Sequence, residues 1–143
     1  MRKTLLTAAA ALSLISFNSC KKSSSTSNAK TVQNLSGSYN LSALTWTASG
    51  VTINVYDSLP ACEKDNVIQL NTDLTSNFID AGIVCVPAED DHGTWSLSAN
   101  ADSLYLGSTG TYIKSWDGKT LVLTGIEENG PPQVTGTTTL VKK

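Results

Sequence analysis

The sequence predicts an all-β domain, an up-and-down antiparallel barrel of eight strands. From residue 35 onward, short segments rich in β-branched and aromatic residues alternate apolar with polar positions, and turn residues separate them at short intervals. Consecutive strands joined by short turns are typical of a meander that closes on itself. The pattern shows no amphipathic helix longer than two turns. The eight predicted strands are residues 38–46, 66–70, 75–79, 94–98, 103–107, 111–116, 119–125 and 134–142.

Turn residues mark the ends of these strands. Asp117 and Gly118 predict a two-residue hairpin turn, because both residues tolerate the positive φ that each central position requires. Looser turn signals occur at residues 100–102 and 107–110. The run at residues 128–133 contains two prolines, which have no N–H to donate, so it should interrupt the ladder of hydrogen bonds.

Cys62 and Cys85 are expected to form a structural disulfide. The hairpin predicted over residues 66–79 turns at residues 73–74, and each cysteine lies eleven residues from that turn, so the two sulfurs should meet at the open end of the hairpin. Neighbouring cysteines oxidise in an exported protein. A zinc site needs four ligands and a redox centre needs a C-x-x-C motif; the sequence offers only His92 as an imidazole and contains no such motif.

Four sequence features occur together: LSGSY (35–39), LPACEKDNVIQL (59–70), Cys85 after the third strand and GTWSL (93–97). Together they resemble the lipocalin-like domains of Bacteroidota lipoproteins. The resemblance covers most of residues 35–143 and implies a lipocalin-like barrel more directly than it implies a function. In lipocalin barrels the aromatic of a Gly-x-Trp motif plugs the closed end beneath an arginine of the last strand. Here the aromatic is Tyr39, and the chain after residue 19 contains no arginine.

The interior of an eight-stranded barrel is either filled by side chains or holds one small ligand, and the sequence leaves both open. For a hollow barrel we expect residues 47–60 to form a lid over an open mouth, with Trp46, Tyr56 and Trp95 contacting an apolar ligand. For either case, alternation predicts that the inward side chains are Tyr39, Leu41, Ile68, Leu70, Trp95, Leu97, Leu104, Leu106, Leu121 and Leu123.

Residues 1–19 have the pattern of a bacterial lipoprotein signal peptide. Arg2 and Lys3 precede an uncharged, mostly apolar run at residues 4–17, which is shorter than the roughly 20 residues of a membrane-spanning helix. Cys20 follows at the position of a lipid-acceptor cysteine. We therefore predict that removal of residues 1–19 makes Cys20 the first residue of the mature protein. Its side chain would carry the lipid that anchors the protein in a membrane. The alternative is an ordinary secretory signal cut near Cys20.

Residues 20–34 are predicted to form a flexible tether, because they are rich in Ser, Thr, Asn and Lys and offer little to bury. Bacteroidota lipoproteins sent to the cell surface resemble one another in carrying acidic residues just after the lipidated cysteine, whereas Lys21 and Lys22 follow it here. We therefore expect a lipoprotein of the cell envelope, anchored in the outer membrane and facing the periplasm.

The clearest cluster of polar side chains is the acidic turn, Glu89, Asp90, Asp91 and His92. These residue types could bind calcium or act as an acid–base pair. Consecutive residues of an extended chain point to opposite faces, however, which favours a solvated turn between the third and fourth strands.

The sequence contains no recognisable catalytic or cofactor motif, so we predict a non-enzymatic module. Residues 35–143 contain twelve acidic residues and five lysines, a net charge of −7, which argues against nucleic-acid binding. The predicted function is a lipid-anchored module that binds a small apolar ligand or a protein partner. The alternative is a small periplasmic hydrolase or a calcium-binding protein that uses the acidic turn.

Overall fold

The computed structural model, which describes residues 28–143, has nine antiparallel strands. Most of them are joined by short turns, and longer segments lie at residues 55–66 and 80–90. The elements are α1 (Val32–Leu35), β1 (Gly37–Ala48), β2 (Val51–Asn54), a 3₁₀ helix (Tyr56–Ser58), α2 (Ala61–Lys64), β3 (Val67–Leu70), β4 (Thr75–Ile79), β5 (Asp91–Leu97), β6 (Ser103–Leu106), β7 (Thr109–Trp116), β8 (Thr120–Glu128) and β9 (Val134–Lys142).

The strands form one sheet in the order β2-β1-β3-β4-β5-β6-β7-β8-β9, and an additional pairing of β1 with β9 closes it into a barrel. The eight barrel strands are β1 and β3 to β9, because β2 pairs only with the end of β1. This arrangement confirms the predicted up-and-down, eight-stranded antiparallel barrel, and each of the eight predicted segments corresponds to one barrel strand.

Strand β2 corrects the prediction that residues 47–60 form a lid. Residues 51–54 pair with residues 45–48 of β1, so the segment begins as a hairpin. Its turn residues Ser49 and Gly50 have φ of 50° and 78°. Positive φ at both central positions is the requirement of a tight two-residue hairpin, and the alternating β-branched residues that follow suit a strand.

The turn at Asp117 differs from the two-residue type that the sequence predicts. Three residues separate β7 from β8, and among them only Gly118 has a positive φ, of 96°. The Asp117 carboxylate instead accepts hydrogen bonds from the N–H groups of Thr120 at 2.6 Å and Lys119 at 2.8 Å. These bonds hold the pKa of Asp117 below its ordinary value of 3.8.

Helix α1 covers the closed end of the barrel. Thr31 caps the helix by accepting a hydrogen bond at 3.2 Å, Leu35 is completely buried, and Lys30 donates to a backbone carbonyl of β7 at 3.2 Å. The last residues of the predicted tether, residues 20–34, therefore pack against the barrel as the start of the folded domain. Residues 20–27 lie outside the described part of the chain.

Lys142, on the last strand, lies where the family resemblance leads one to expect an arginine. Its Nζ lies 5.9 Å from the ring centroid of Tyr39 and 5.8 Å from that of Trp116. It also donates a hydrogen bond to the carbonyl of Asn34 in α1 at 2.9 Å. Gly37 leaves space for this side chain, since a Cβ there would collide with Lys142 Cε. A lysine thus supplies the cation over the aromatic residues at the closed end.

Side chains fill the half of the barrel next to α1, which we call the closed half. Of the ten predicted inward residues, nine belong to the core or pack against it, whereas Leu106 is 40% exposed. The core consists of Leu35, Tyr39, Leu70, Trp95, Leu104, Ile113, Trp116, Leu121, Leu123 and Leu140, with Val32, Leu41, Ile68 and Leu97 packed against it.

The barrel wall is incomplete in the opposite, open half. β1 pairs with β3 only over residues 37–40 and with β2 over residues 45–48. β5 pairs with β6 only over residues 95–97, and β7 pairs with β8 only over residues 112–116. The open half therefore consists of two separate leaves, β2-β1-β9-β8 and β3-β4-β5, with the β6–β7 hairpin between them.

The predicted disulfide between Cys62 and Cys85 is present, with Cα atoms 5.2 Å apart. It joins α2 to the loop at residues 80–90, beyond the ends of the β3–β4 hairpin. The strand register differs by one residue from the prediction. A turn centred at residues 73–74 would pair Val67 with Asp80, whereas Val67 pairs with Ile79. The backbone N–H of Asn71 donates to the carbonyl of Thr75, so a three-residue turn connects the two strands.

Candidate ligand-binding site

A cavity of about 630 Å³ lies in the open half, beside the part of β5 that has no partner on its β6 side. Its volume falls within the roughly 300–1,000 Å³ of typical small-molecule sites. Ile68, Phe78 and Leu106 give it apolar walls. The remaining lining residues are Ser76, Asn77, Glu89, Asp91, His92, Gly93, Thr94 and Gly107.

A second cavity of about 200 Å³ adjoins the first. The two share Ile68, Phe78 and Glu89, so they form neighbouring compartments under the open end of the barrel. Leu59 closes the smaller compartment from the segment before α2. Its other lining residues are Leu41, Leu44, Glu63 and Asn66. Side chains therefore fill the closed half of the barrel interior, whereas the open half is hollow.

Asp80 organises the loop that carries Glu89 to the cavity. Its buried carboxylate accepts hydrogen bonds from the backbone N–H groups of Cys85 and Glu89, each at 3.0 Å. Its own N–H donates to Asp90 at 3.0 Å. Because one buried group satisfies two loop amides, and because the disulfide holds the same loop to α2, the backbone position of Glu89 is well defined.

Asn66, which lines the smaller cavity, carries a buried hydrogen-bond donor that no protein group uses. The side chain is 3% exposed, and its Oδ1 accepts a hydrogen bond from the N–H of Ala81 at 3.3 Å. Its Nδ2 is buried without a hydrogen-bond partner. A buried donor without a partner costs about 1–3 kcal/mol, so an acceptor that reached it would bind favourably.

The acidic turn does not assemble into one site. Asp91 and His92 lie on β5, instead of in a loop, because this strand begins three residues earlier than the sequence predicts. Glu89, Asp91 and His92 line the larger cavity, whereas Asp90 binds the loop backbone. His92 Nδ1 lies 2.9 Å from the side-chain oxygen of Asn77. Residues 28–143 contain no group of three or more His, Cys, Asp or Glu side chains that could hold a metal ion.

The three aromatic residues predicted to contact a ligand lie apart from one another. Trp46 is 40% exposed in a shallow apolar patch with β2 residues. Tyr56 lies beneath Lys64, whose Nζ is 5.3 Å from its ring centroid. Trp95 is 2% exposed in the core and donates its indole N–H to the carbonyl of Asn71 at 2.8 Å. None of the three lines either compartment of the cavity.

Phe78, Leu44 and Asn66 line the cavity but were not singled out from the sequence. Phe78 could have been found, because it pairs with Ile68 and must share its inward face. Leu44 changes face relative to simple alternation, since a bulge between residues 41 and 43 shifts the register of β1. Asn66 is buried, with its Oδ1 hydrogen-bonded and its Nδ2 without a partner, because of the loop at residues 80–90. No local pattern in the sequence reveals this.

The predicted lipid-acceptor Cys20 and the signal peptide at residues 1–19 lie outside the described part of the chain. Within residues 28–143, none of the helices has the length and apolar character needed to cross a membrane.

The fold and the cavity together define a small antiparallel barrel, filled at one end and hollow at the other. A family model described as a lipocalin-like domain matches residues 35–124. The chain therefore belongs to the lipocalin-like domain family. No curated protein matches it. Barrels of this family are typically ligand-binding, non-enzymatic modules.

Proposed function

We propose that this protein is a lipid-anchored, non-enzymatic binding protein of the cell envelope, which holds a small apolar ligand in the open half of its barrel. The observation that carries the proposal is the contrast between the two halves. The closed half is filled by packed side chains, whereas Ile68, Phe78 and Leu106 leave an apolar space of ligand size in the open half.

The proposed anchor is a lipid on Cys20 in the outer membrane, with the domain in the periplasm. Residues 28–35 join the barrel at its closed end, so an anchor at Cys20 attaches on the side opposite the cavity. Residues 20–27 can span at most about 28 Å. This connection keeps the closed end near the bilayer and supports a cavity that takes its ligand from the aqueous side.

The anchor is tested by fractionating cells that express the wild-type protein or the Cys20→Ala variant. We expect the wild-type protein in the membrane fraction and the variant in the soluble periplasmic fraction. A variant that stays with the membrane contradicts lipidation at Cys20. Degradation of the wild-type protein by protease added to intact cells contradicts its periplasmic location.

The ligand site is tested with phenylnaphthylamine, a neutral apolar fluorophore whose emission rises in apolar surroundings. Leu106→Trp places a large ring at the wall of the larger cavity, and Ile126→Trp adds the same ring at an exposed position of β8 outside it. We expect the first variant to bind on the order of tenfold more weakly, a loss of about 1.4 kcal/mol, and the second to match the wild-type protein.

Both variants add a tryptophan at a partly exposed site, so they are matched in chemistry and should keep the thermal stability of the wild-type protein. Equal binding by both variants contradicts the assignment of the cavity, and no binding of apolar probes to the wild-type protein contradicts the proposed function.

A further inference from the structure

We propose that the cavity selects an organic cation, a molecule with an apolar body whose head carries a protonated amine beside an oxygen acceptor. This inference rests on the proposed function and specifies the class of ligand. It follows from the charged groups around the open end, from the carboxylates that line the cavity and from the unused donor of Asn66.

Charge is distributed unevenly between the two ends of the barrel. Nine of the twelve acidic residues of the domain lie at the open end, within residues 57–65, 80–91 and 127–128. A single lysine, Lys64, lies among them, and it donates to a backbone carbonyl at 3.1 Å. A concave, low-dielectric opening lined by charge of one sign concentrates ions of the opposite sign.

Three carboxylates line the two compartments, and one of them, Asp91, lines only the larger. Glu63 and Glu89 both line the smaller compartment, and Glu89 also lines the larger one. Residues 28–143 contain one ion pair, between Lys30 and Asp102 at the closed end. Neither glutamate therefore has a cationic partner within this part of the chain. An ammonium group that reached them beside Ile68 and Phe78 would form charge-assisted hydrogen bonds in a partly apolar setting.

Asn66 adds the second requirement for the head of the ligand. Its buried Nδ2 donates to nothing in the protein, and the residue lines the same compartment as the two glutamates. A donor needs an acceptor, so a hydroxyl or carbonyl oxygen beside the amine completes the site. A fatty acid would place its carboxylate against Glu63 and Glu89. A hydrocarbon would offer neither a cation to these glutamates nor an acceptor to Asn66.

The test measures how well four probes with the same alkyl tail displace phenylnaphthylamine from the full domain. The probes are dodecanol, dodecylammonium, dodecanoate and an aminododecanol whose amine and hydroxyl are on neighbouring carbons at one end. We expect dodecylammonium to bind on the order of tenfold more tightly than dodecanol at low salt, dodecanoate to bind most weakly and aminododecanol most tightly. The preference for ammonium should shrink as ionic strength rises from about 0.01 M to about 1 M.

Two pairs of substitutions separate direct contact from the general field. Glu63→Gln with Glu89→Gln should remove most of the preference for ammonium over alcohol. Glu127→Gln with Glu128→Gln changes the net charge equally at the same end but outside the cavity, and it should leave most of that preference. Asn66→Asp keeps the oxygen that accepts from Ala81 but removes the donor, so aminododecanol should lose its advantage over dodecylammonium.

Equal affinity for dodecanol and dodecylammonium, or tighter binding of dodecanoate, would overturn the inference and leave the proposed apolar site standing. Equal losses in the two glutamine pairs would overturn the contact with Glu63 and Glu89. Failure of all four probes to bind would remove the proposed function as well.

Discussion

Tyr39 is the residue that joins α1, the first strand and the last strand at the closed end. Its hydroxyl donates to the carbonyl of Leu35 at 2.6 Å, its ring lies 6.4 Å from that of Trp116, and Lys142 lies over both rings. The side chain is completely buried. Burial raises the pKa of Tyr39 to about 12, because the phenolate would lose its hydration.

This shift predicts a loss of stability in alkali. The unfolded chain releases the Tyr39 proton near pH 10, whereas the folded protein holds it to about pH 12. The contribution of this group to stability is therefore complete below pH 10 and is lost as the pH rises through 12. We expect the free energy of unfolding to fall by on the order of 2 kcal/mol across this window.

The measurement is urea denaturation across that pH range for the wild-type protein, Tyr39→Phe and the exposed control Tyr112→Phe. Tyr39→Phe should reduce the alkaline loss, and Tyr112→Phe should not. Burial also lowers the pKa of Lys142, which acts in the opposite direction, but the comparison of variants cancels this effect. An alkaline loss of the same size in Tyr39→Phe would contradict the assignment to Tyr39.

Among the structural elements, the strands were the most predictable and the turns the least. Alternation depends on which face a side chain occupies, so it identified all eight barrel strands, and nine of its ten inward assignments belong to the core or pack against it. It missed the core residues Ile113, Trp116 and Leu140. Turn geometry depends on individual hydrogen bonds and φ angles. Asp117 therefore stabilises its turn with its carboxylate. Ser49 and Gly50 form a tight hairpin in the segment for which the sequence predicts a lid.

The cavity was less predictable than the fold, because it results from strand pairings that end early. The aromatic residues chosen from the sequence, Trp46 and Trp95, lie on an exposed patch and in the core. The cavity instead takes its walls from β3, β4, β5 and the end of β6. No local pattern states where a strand loses its partner, so the site could not be placed from alternation alone.

The disulfide is expected to stabilise the open half and to hold the cavity in shape. Cys62 precedes Glu63 in α2, and Cys85 lies in the loop that carries Glu89. In the chain-entropy account, a bond that closes a loop of this size contributes about 3 kcal/mol. Reduction should lower the free energy of unfolding by about that amount and weaken phenylnaphthylamine binding.

Urea denaturation and dye titration with and without reductant measure both effects. The intact mass should rise by about two units on reduction, because the reductant supplies two electrons and each sulfur gains one hydrogen atom. The Cys62→Ser, Cys85→Ser double variant is the control, since it should already show the lower stability and no response to reductant. An equal response of this variant to reductant would contradict the role of the bond.

At the scale of the whole molecule, the two ends of the barrel have opposite characters. The closed end carries α1, the aromatic residues beneath Lys142 and most of the lysines, whereas the open end carries the cavity and most of the acidic residues. A lipid on Cys20 would attach on the closed side, where basic residues favour anionic headgroups. The acidic mouth would then face away from the bilayer.

A methyl NMR titration of the domain with phenylnaphthylamine locates a ligand in the open half most directly. We predict saturable shifts at Leu44, Ile68 and Leu106, and none at Leu121 and Leu140 in the closed half. Shifts confined to the exposed patch at Val51 and Ile53, or no saturable shifts at all, would contradict the account.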